Sequence, residues 1–579
     1  MSGSTTRLAL DMYGRDPLVV AYRNRHIATC ALRTVSWPWL GIGVGAALAG
    51  ATVAGACAPL GQAEQAALGT NSTLLLWWFG HPGVVQIGLW LGAMLAMTAG
   101  VRFGRPVPAG QEPVIGAALV ALIHIAVYDR LVAVAVVTAI LCTVYLGAIA
   151  FRMSALALGG KRGLRSAHTN EPVGGWPLYT VLVPLYRERA VASNILKSLA
   201  ALDYPRDKLD VKFLLEADDD ETLAALETAG IPDWAEVVVV PLAQPKTKPR
   251  ACNHGLERAR GEFTVIFDAE DRPESDQLKQ AVLAFHGASE RTTCLQAQLA
   301  YHNYGQNLLT RWFALEYNQW FRRYLRGLVR LKLPIPLGGT SNHFRTAAVK
   351  RIGGWDPFNV TEDCDLGIRL HLAGERTEIL ESVTWEEANS QVGNWLRQRS
   401  RWLKGYLVTH MVWTRRPVHL VRTLGPWGTI GFLASVGAVP VLAATNLLLW
   451  VHLAGYGTCL ALDLHHGFGL WELLSTRDYA QERLSWPMWF TGEDEDLLLA
   501  GLSRIFFAAS LVLLAGNVLF VVIAATTGRR PGQRGLLLPA LLSPLYWVLI
   551  SLAAWKGFWQ FLVRPHYWEK TVHGLDHAP

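Results

Sequence analysis

The chain has 579 residues, 51% of them hydrophobic and 17% charged, with a formal net charge of +7. That is too apolar for an ordinary soluble protein of this length. The positive balance does not point to nucleic acid, because the basic residues flank apolar runs, where they keep to the cytoplasmic side and meet anionic headgroups. Seven scattered cysteines with no CxxC pair argue against a disulfide or zinc framework.

Residues 1–34 are a basic leader carrying Arg7, Arg15, Arg23, Arg25 and Arg33. Residues 34–63, 65–101 and 131–151 contain no Asp, Glu, Lys or Arg, and each reaches the roughly 20 residues that a helix needs to cross a bilayer. With the shorter uncharged run 113–128 they predict four transmembrane helices over 35–151. The first run is too long and lies too far into the chain for a cleavable signal. Arg102 and Arg105 after the second run, and Lys161, Arg162 and Arg165 after the fourth, place the N-terminus and residues 152–422 in the cytoplasm. Residues 152–175 read as a linker.

From about 176 the texture changes. LYTVLVP (178–184), VKFLLEA (211–217), EVVVVP (236–241) and EFTVIFD (262–268) are strand-like runs, separated by helical stretches 190–201, 220–229 and 249–260. This alternation predicts crossover units on a parallel sheet covered on both faces. Ligands of such sheets bind beyond the carboxyl ends of the strands, and acids collect there: Asp218, Asp219 and Asp220 after the second strand, Asp268, Glu270 and Asp271 after the fourth. Two carboxylates on one turn can hold a hard divalent cation that grips a diphosphate. Acids at strand ends also cap helices and fill turns, but two clusters at successive tips favour a site.

VTEDCDLGIRLHLAG (360–374) then puts Glu362, Asp363 and Asp365 at a predicted helix start. Acids there suit the helix dipole; a carboxylate near a bound diphosphate donor can also take the proton from an attacking hydroxyl, and Asp363 is the candidate. In LRQRSRWLKG (396–405), Gln398, Arg401 and Trp402 share one helix face. Arg401 offers forked donors for phosphate oxygens, and Trp402 a flat apolar face for a sugar ring. Alone, the stretch also reads as a juxtamembrane basic helix with an aromatic anchor.

After it the uncharged run 423–462 makes one crossing or two, the acidic loop 464–500 follows, and 505–528 and 535–555 predict further spans up to residue 557. One crossing obeys the positive-inside rule but puts the tail 558–579 outside. Two crossings put the tail in the cytoplasm with one violation, and that arrangement is preferred because the tail is dense in side chains capable of function.

In this order, an acid pair at a strand tip, Asp-x-Glu at a later tip, Thr-Glu-Asp, and Gln-x-x-Arg-Trp between membrane helices resemble the inverting family 2 glycosyltransferases of the cellulose, chitin and hyaluronan synthase type, closely over 176–410. The resemblance implies an α/β GT-A (Rossmann-like) cytoplasmic catalytic domain, residues 176–422, inserted between N- and C-terminal transmembrane α-helical bundles of an inner (plasma) membrane protein. It implies a nucleotide-sugar donor, with Pro184, Tyr186, Glu188, Asp218, Asp219, Arg250, Asn253 and Asp268 around the nucleotide. Mg²⁺ or Mn²⁺ would sit on Asp268 and Glu270, where Glu replaces the family's second Asp. A growing glycan acceptor would meet Thr340, Ser341, Asn342, Glu362 and Trp402. Gln398, Arg401 and Trp402 match the diphosphate and acceptor motif, with Asp363 at the general base. In FLVRPHYWEKTVHG (561–574), Trp568, Lys570, Thr571 and His573 resemble a loop that closes over bound nucleotide. The implied activity is processive synthesis and translocation of a β-linked polysaccharide, in contact with the lipid bilayer and with a partner protein for export or regulation conceivable. The alternatives are a single-addition lipid glycosyltransferase of the ceramide type and a non-catalytic membrane receptor or secretion component.

Overall fold

The structure, a computed structural model, describes residues 130–160, 163–165, 171–189, 192–447, 465, 512, 514–564 and 567–571. The chain divides into two compact units. One comprises Asp16–Thr143 and His452–Val512 and is described only at 130–143, 465 and 512; the other comprises Met1–Arg15, Val144–Val451 and Leu513–Pro579 and holds everything below except the first half of the first helix. The spans expected over 35–128, nearly all of the loop 464–500, and His573 lie outside the described residues.

Helix α1 (Arg130–Leu158) leads to an α/β domain whose elements follow in order: β1 (Tyr179–Leu185), α2 (Ala192–Ala200), β2 (Leu209–Glu216), α3 (Asp220–Ala229), β3 (Ala235–Val240), α4 (Lys248–Glu257), β4 (Phe263–Ile266), β5 (Arg272–Pro273), α5 (Gln277–Gly287) and β6 (Thr292–Tyr301). The order continues with α6 (Leu308–Gln319), α7 (Leu325–Arg330), β7 (Asn342–Arg345), α8 (Thr346–Arg351), α9 (Glu362–Leu372), β8 (Arg376–Glu386) and α10 (Val392–Thr414). Next come α11 (Pro417–Phe432), α12 (Leu514–Thr527), α13 (Leu537–Leu541) and α14 (Ser543–Val563).

The eight strands form one sheet in the order β3-β2-β1-β4-β7-β6-β8-β5. The β3 to β4 half is parallel as the alternating pattern predicts. The other half is mixed: β7 runs antiparallel to both β4 and β6, β6 and β8 are parallel, and β5 is antiparallel to β8. The expectation of a parallel sheet is corrected there, for a physical reason: β7 is only Asn-His-Phe-Arg, with no apolar run to announce it.

Side chains alternate across the sheet with the period of a strand. Tyr179, Val181 and Val183 of β1 join one core under α2 and α5, while Leu182 joins the other under α4, with Ala251, Cys252 and Leu256. Full burial of an aliphatic or phenyl side chain such as Leu182 or Phe213 contributes about 1.5–3 kcal/mol. Gly255 brings α4 onto the sheet: a Cβ there would meet Leu214 at 2.6 Å. Gly405 does the same for α10, where a Cβ would collide with Thr361 at the start of α9. That close approach sets the Arg401 turn beside Asp363.

Among the described residues one helix, Pro417–Leu447, is long and apolar enough to cross a membrane. It kinks at Gly425 (φ 70°), ahead of Pro426. The expected C-terminal bundle is otherwise α12, the short α13 and α14, whose apolar run is broken by Ser551, Lys556 and Gln560.

Candidate active site

The carboxyl ends of β1, β2 and β4 open on a cavity of about 400 Å³ that is closed on its far side by α6, α9, α10 and the C-terminal segment 567–571. Pro184, Tyr186 and Glu188 line it from the β1 tip, Asp268 and Glu270 from the β4 tip, Glu362 and Asp363 from the first turn of α9, and Gln398, Arg401 and Trp402 from α10. Thr340, Trp568, Lys570 and Thr571 complete the wall.

Other candidates lie elsewhere. Asp219 is buried and caps α3, accepting from Thr222 N at 3.3 Å and from Arg187 N. Asp218 pairs with Lys246 at 2.5 Å, which holds its carboxyl below the usual range. Arg250 pairs with Glu216 at 2.8 Å and donates to Pro241 O. Asn253 bridges the backbone of Trp355, donating to its carbonyl at 2.7 Å and accepting from its N–H at 2.8 Å. Ser341, at φ 55°, donates to Thr384 Oγ1, and Asn342 donates to Gly338 O. None of these six side chains lines the cavity; their hydrogen bonds hold the loops that do.

Lys248, not Arg250, is the cation of the Lys-Pro-Arg segment that enters the cavity. Its Nζ reaches Asp268 at 2.5 Å and Gly339 O at 2.7 Å. Burial alone would depress it, but Asp268 and Glu362 outweigh burial and keep it protonated. Asp271 turns inward, accepting from Asp268 N at 2.8 Å and from Thr340 Oγ1, so the two acids of the β4 tip that face the cavity are Asp268 and Glu270.

The carboxylates crowd. Burial, then the neighbouring charge of Asp363, pushes Glu362 up to about 8. Asp363 is pushed up to about 6 by burial, moderated by the Cys364 N–H that it accepts at 2.8 Å and by the charge of Lys248. Burial and the acids at 268, 270 and 271 raise Glu386, at the end of β8. Against them stands Arg401, whose guanidinium lies 4.3 Å from the Trp568 ring centre. Its Nε is buried with no hydrogen-bond partner, as is Thr571 Oγ1: two unmet donors at the wall of an acidic cavity.

Beyond Arg401 the cavity turns aromatic. Trp402 stacks near Tyr317, with centroids 6.1 Å apart and planes 27° apart, and Trp320 and Phe321 continue the surface. Arg399 lies beneath, its guanidinium 4.8 Å from the Trp402 ring, forked onto Glu316 at 2.9 and 2.6 Å. Sequence reasoning passed over Lys248, Glu386, Glu316, Tyr317 and Arg399. Arg399 had a signal in its place inside Gln-Arg-Ser-Arg-Trp, and Lys248 in its place two residues before Arg250.

A sheet with carboxylates at its parallel tips, facing an Asp-Arg-Trp wall, defines an α/β glycosyltransferase domain of the GT-A-like kind. Residues 177–405 match the family model described as Glycosyltransferase like family 2, and this part of the chain is similar to that family. A probable glycosyltransferase, YdaM, of Bacillus subtilis is 28% identical over 234 residues, 40% of this chain and 55% of the relative. A beta-monoglucosyldiacylglycerol synthase of Trichormus variabilis is 27% identical over 293 residues, 49% and 61% of the two chains. A probable glucomannan 4-beta-mannosyltransferase 7 of Oryza sativa is 27% identical over 253 residues, 42% and 43%. The chain thus spans between about two fifths and three fifths of the length of these relatives.

Proposed function

We propose that the domain transfers a hexosyl group from a nucleoside-diphosphate sugar to an acceptor hydroxyl, with inversion at the anomeric carbon. The observation that carries this is the meeting of Asp268 and Glu270, Asp363, and Arg401 in one cavity from three separate elements.

Inversion needs one in-line displacement. The acceptor oxygen bonds the anomeric carbon, its proton passes to Asp363, and the nucleoside diphosphate leaves with the bonding pair. A carboxylate lifted to about 6 is ionised at neutral pH and more basic than an exposed aspartate. Arg401 faces the charge that grows on the diphosphate. Trp402 and Tyr317 give the acceptor ring a flat surface.

Among the described residues no group of three or more His, Cys, Asp or Glu is arranged to hold a metal. Asp268 and Glu270 nonetheless fit a divalent cation, since Mg²⁺ and Mn²⁺ bind through one or two carboxylates together with substrate phosphates. The surplus of acid that raises Glu386 has the sign such a cation relieves. Bound there, Mg²⁺ or Mn²⁺ would supply Lewis-acid neutralisation of the diphosphate.

The acceptor reading we favour is a growing β-linked glycan, extended processively at the cytoplasmic face of the plasma membrane, because the aromatic wall beside the base is a sugar-binding surface. A second reading, a single sugar added to a lipid, is favoured by the apolar end of the cavity. Leu403, and Val439 of the membrane-length helix, both line that end, and one relative is named for a glycolipid. Full-length protein in nanodiscs, given a panel of UDP- and GDP-sugars, separates them by nucleotide release and product size. High-mass product supports the polymerase and one defined glycolipid the second reading; no nucleotide release from any of the donors would sink both.

A further inference from the structure

Between α6 and α7 the chain reads NQWFRRYLR over 318–326, with Asn318, Arg322 and Arg326 four residues apart. It passes there through a π turn, Trp320–Tyr324, a feature that recurs at functional sites. Trp320 and Phe321 of that turn line the catalytic cavity, whereas Arg322 and Arg323 do not.

The segment after α12 brings a further cation to the same place. Arg530 donates to Asn318 Oδ1 at 3.4 Å and to Gln298 Oε1 at 3.1 Å, with its guanidinium 5.6 Å from the Trp385 ring centre. Arg322 reaches the Arg529 carbonyl at 2.8 Å. Gln298 in turn donates at 3.1 Å to Glu381, the carboxylate to which Arg326 is bonded at 2.7 Å. Arg322 is thus held among groups that also anchor Arg530 and Arg326.

The carboxylates that act on this cluster, Glu381 and Glu274, are already committed. Glu381 also accepts from Gly163 N at 2.6 Å, and Glu274 from Ser382 Oγ at 2.9 Å and Val383 N at 3.2 Å. Arg165, 3.6 Å from Glu274, is balanced by Asp276 at 3.1 Å. Among the described residues neither Arg323 nor Arg529 has a carboxylate partner. The guanidiniums repel one another: burial and the charges of Arg322 and Arg326 push Arg530 down to about 10, and burial with Arg323 holds Arg322 below its ordinary range. Guanidinium forks fit the oxygens of a phosphate. Arg322, Arg323, Arg326 and Arg530 set against Glu381 and Glu274 leave the surplus that a dianion neutralises.

We propose that Arg322, Arg323 and Arg530 bind the phosphate group of an anionic ligand, at a site separate from Lys248 and Arg401. The group comes from a soluble phosphate ester or from a lipid headgroup; the second source has access because Arg530 lies just past α12, which ends at Thr527.

The test uses the full chain carrying Lys248→Met and Arg401→Ala, which removes two cations of the catalytic cavity, in nanodiscs of phosphatidylcholine. Calorimetric titration with inorganic phosphate should show one site, weakened about tenfold by adding Arg322→Gln and Arg530→Gln together. Those two side chains also bond to protein, so their loss could unfold the region. Arg323→Gln removes no such contact and should weaken phosphate binding about fivefold in the same background or in the native one, while Arg323→Lys retains most of it. Phosphatidylglycerol in the disc separates the sources: phosphate affinity about tenfold lower assigns the site to a headgroup, and unchanged affinity assigns it to a soluble ester. Absence of phosphate binding in phosphatidylcholine overturns the proposal, as does binding that Arg323→Gln leaves unchanged.

Discussion

Asp363 joins sequence, fold and chemistry at one atom pair. Its place in Thr-Glu-Asp marked it as a base, but its environment came from elsewhere: Cys364 N–H, Lys248 and Arg401 pull it down while burial pushes it up. As the base it works ionised, so kcat/KM, which reports the free enzyme, should be flat at neutral pH and fall tenfold per unit as pH drops through about 6. Asp363→Asn should cost 10²-fold or more in kcat and abolish that limb, while calorimetry shows donor affinity within about threefold. A variant with its limb intact would assign the base elsewhere. The neighbouring acids were legible because strand tips can be read from apolar runs. Lys248 was not, because two cations two residues apart cannot be told apart without knowing how α4 sits. The structure makes the two opposite in kind. Lys248→Met should raise the donor KM at least tenfold with little change in melting temperature. Arg250→Ala should cost about 1–3 kcal/mol of stability, by stranding the buried Glu216 carboxylate, as read by denaturant unfolding.

At the scale of elements, the aromatic wall is built by helices whose partnership spacing does not reveal. Trp402 sits on α10, Tyr317 on α6, and Arg399 joins the two by its fork onto Glu316. Tyr546 of α14 completes the set with a hydroxyl that donates to the same carboxylate. The sequence shows an aromatic residue at 546 inside an apolar run, and nothing in that run says that it faces an ion pair whose glutamate lies 230 positions away. β7 was missed for a similar reason: four half-polar residues become a central strand only because β4 and β6 flank them. The linkage has a kinetic signature. Tyr546→Phe keeps the ring stacked against Trp312 and removes only the hydroxyl, so it should raise the acceptor KM several-fold and leave the donor KM within about twofold. Arg399→Lys, which cannot make the planar fork, should do more. An equal rise in both KM values would assign Tyr546 to general stability instead.

Across the whole molecule, the last described residues return to the first strand. The tail crosses the β1 side of the cavity: Trp568 under Arg401, Lys570 against Glu188 and the Tyr186 and Arg187 carbonyls, Glu569 held by Lys556 at 2.9 Å. The resemblance suggested a closing loop, but whether the tail lay on the catalytic side hung on the crossing number of an uncharged run, which hydropathy cannot decide. Magnitudes rank its contacts. A cation–π pair that is partly desolvated is worth about 0.5–2 kcal/mol, whereas the Lys570–Glu188 pair, with the lysine over a third exposed, falls in the 0–1 kcal/mol range of surface bridges. Trp568→Ala should therefore raise the donor KM by about 3- to 30-fold, and Lys570→Ala by no more than about fivefold, in nucleotide-release assays across one donor series. Because Arg401 loses its stacking partner when Trp568 is removed, the double variant with Arg401→Ala should be less damaging than the product of the two single effects. Independent effects would mean that the tail covers the site without shaping Arg401, and that the arginine is positioned by α10 alone.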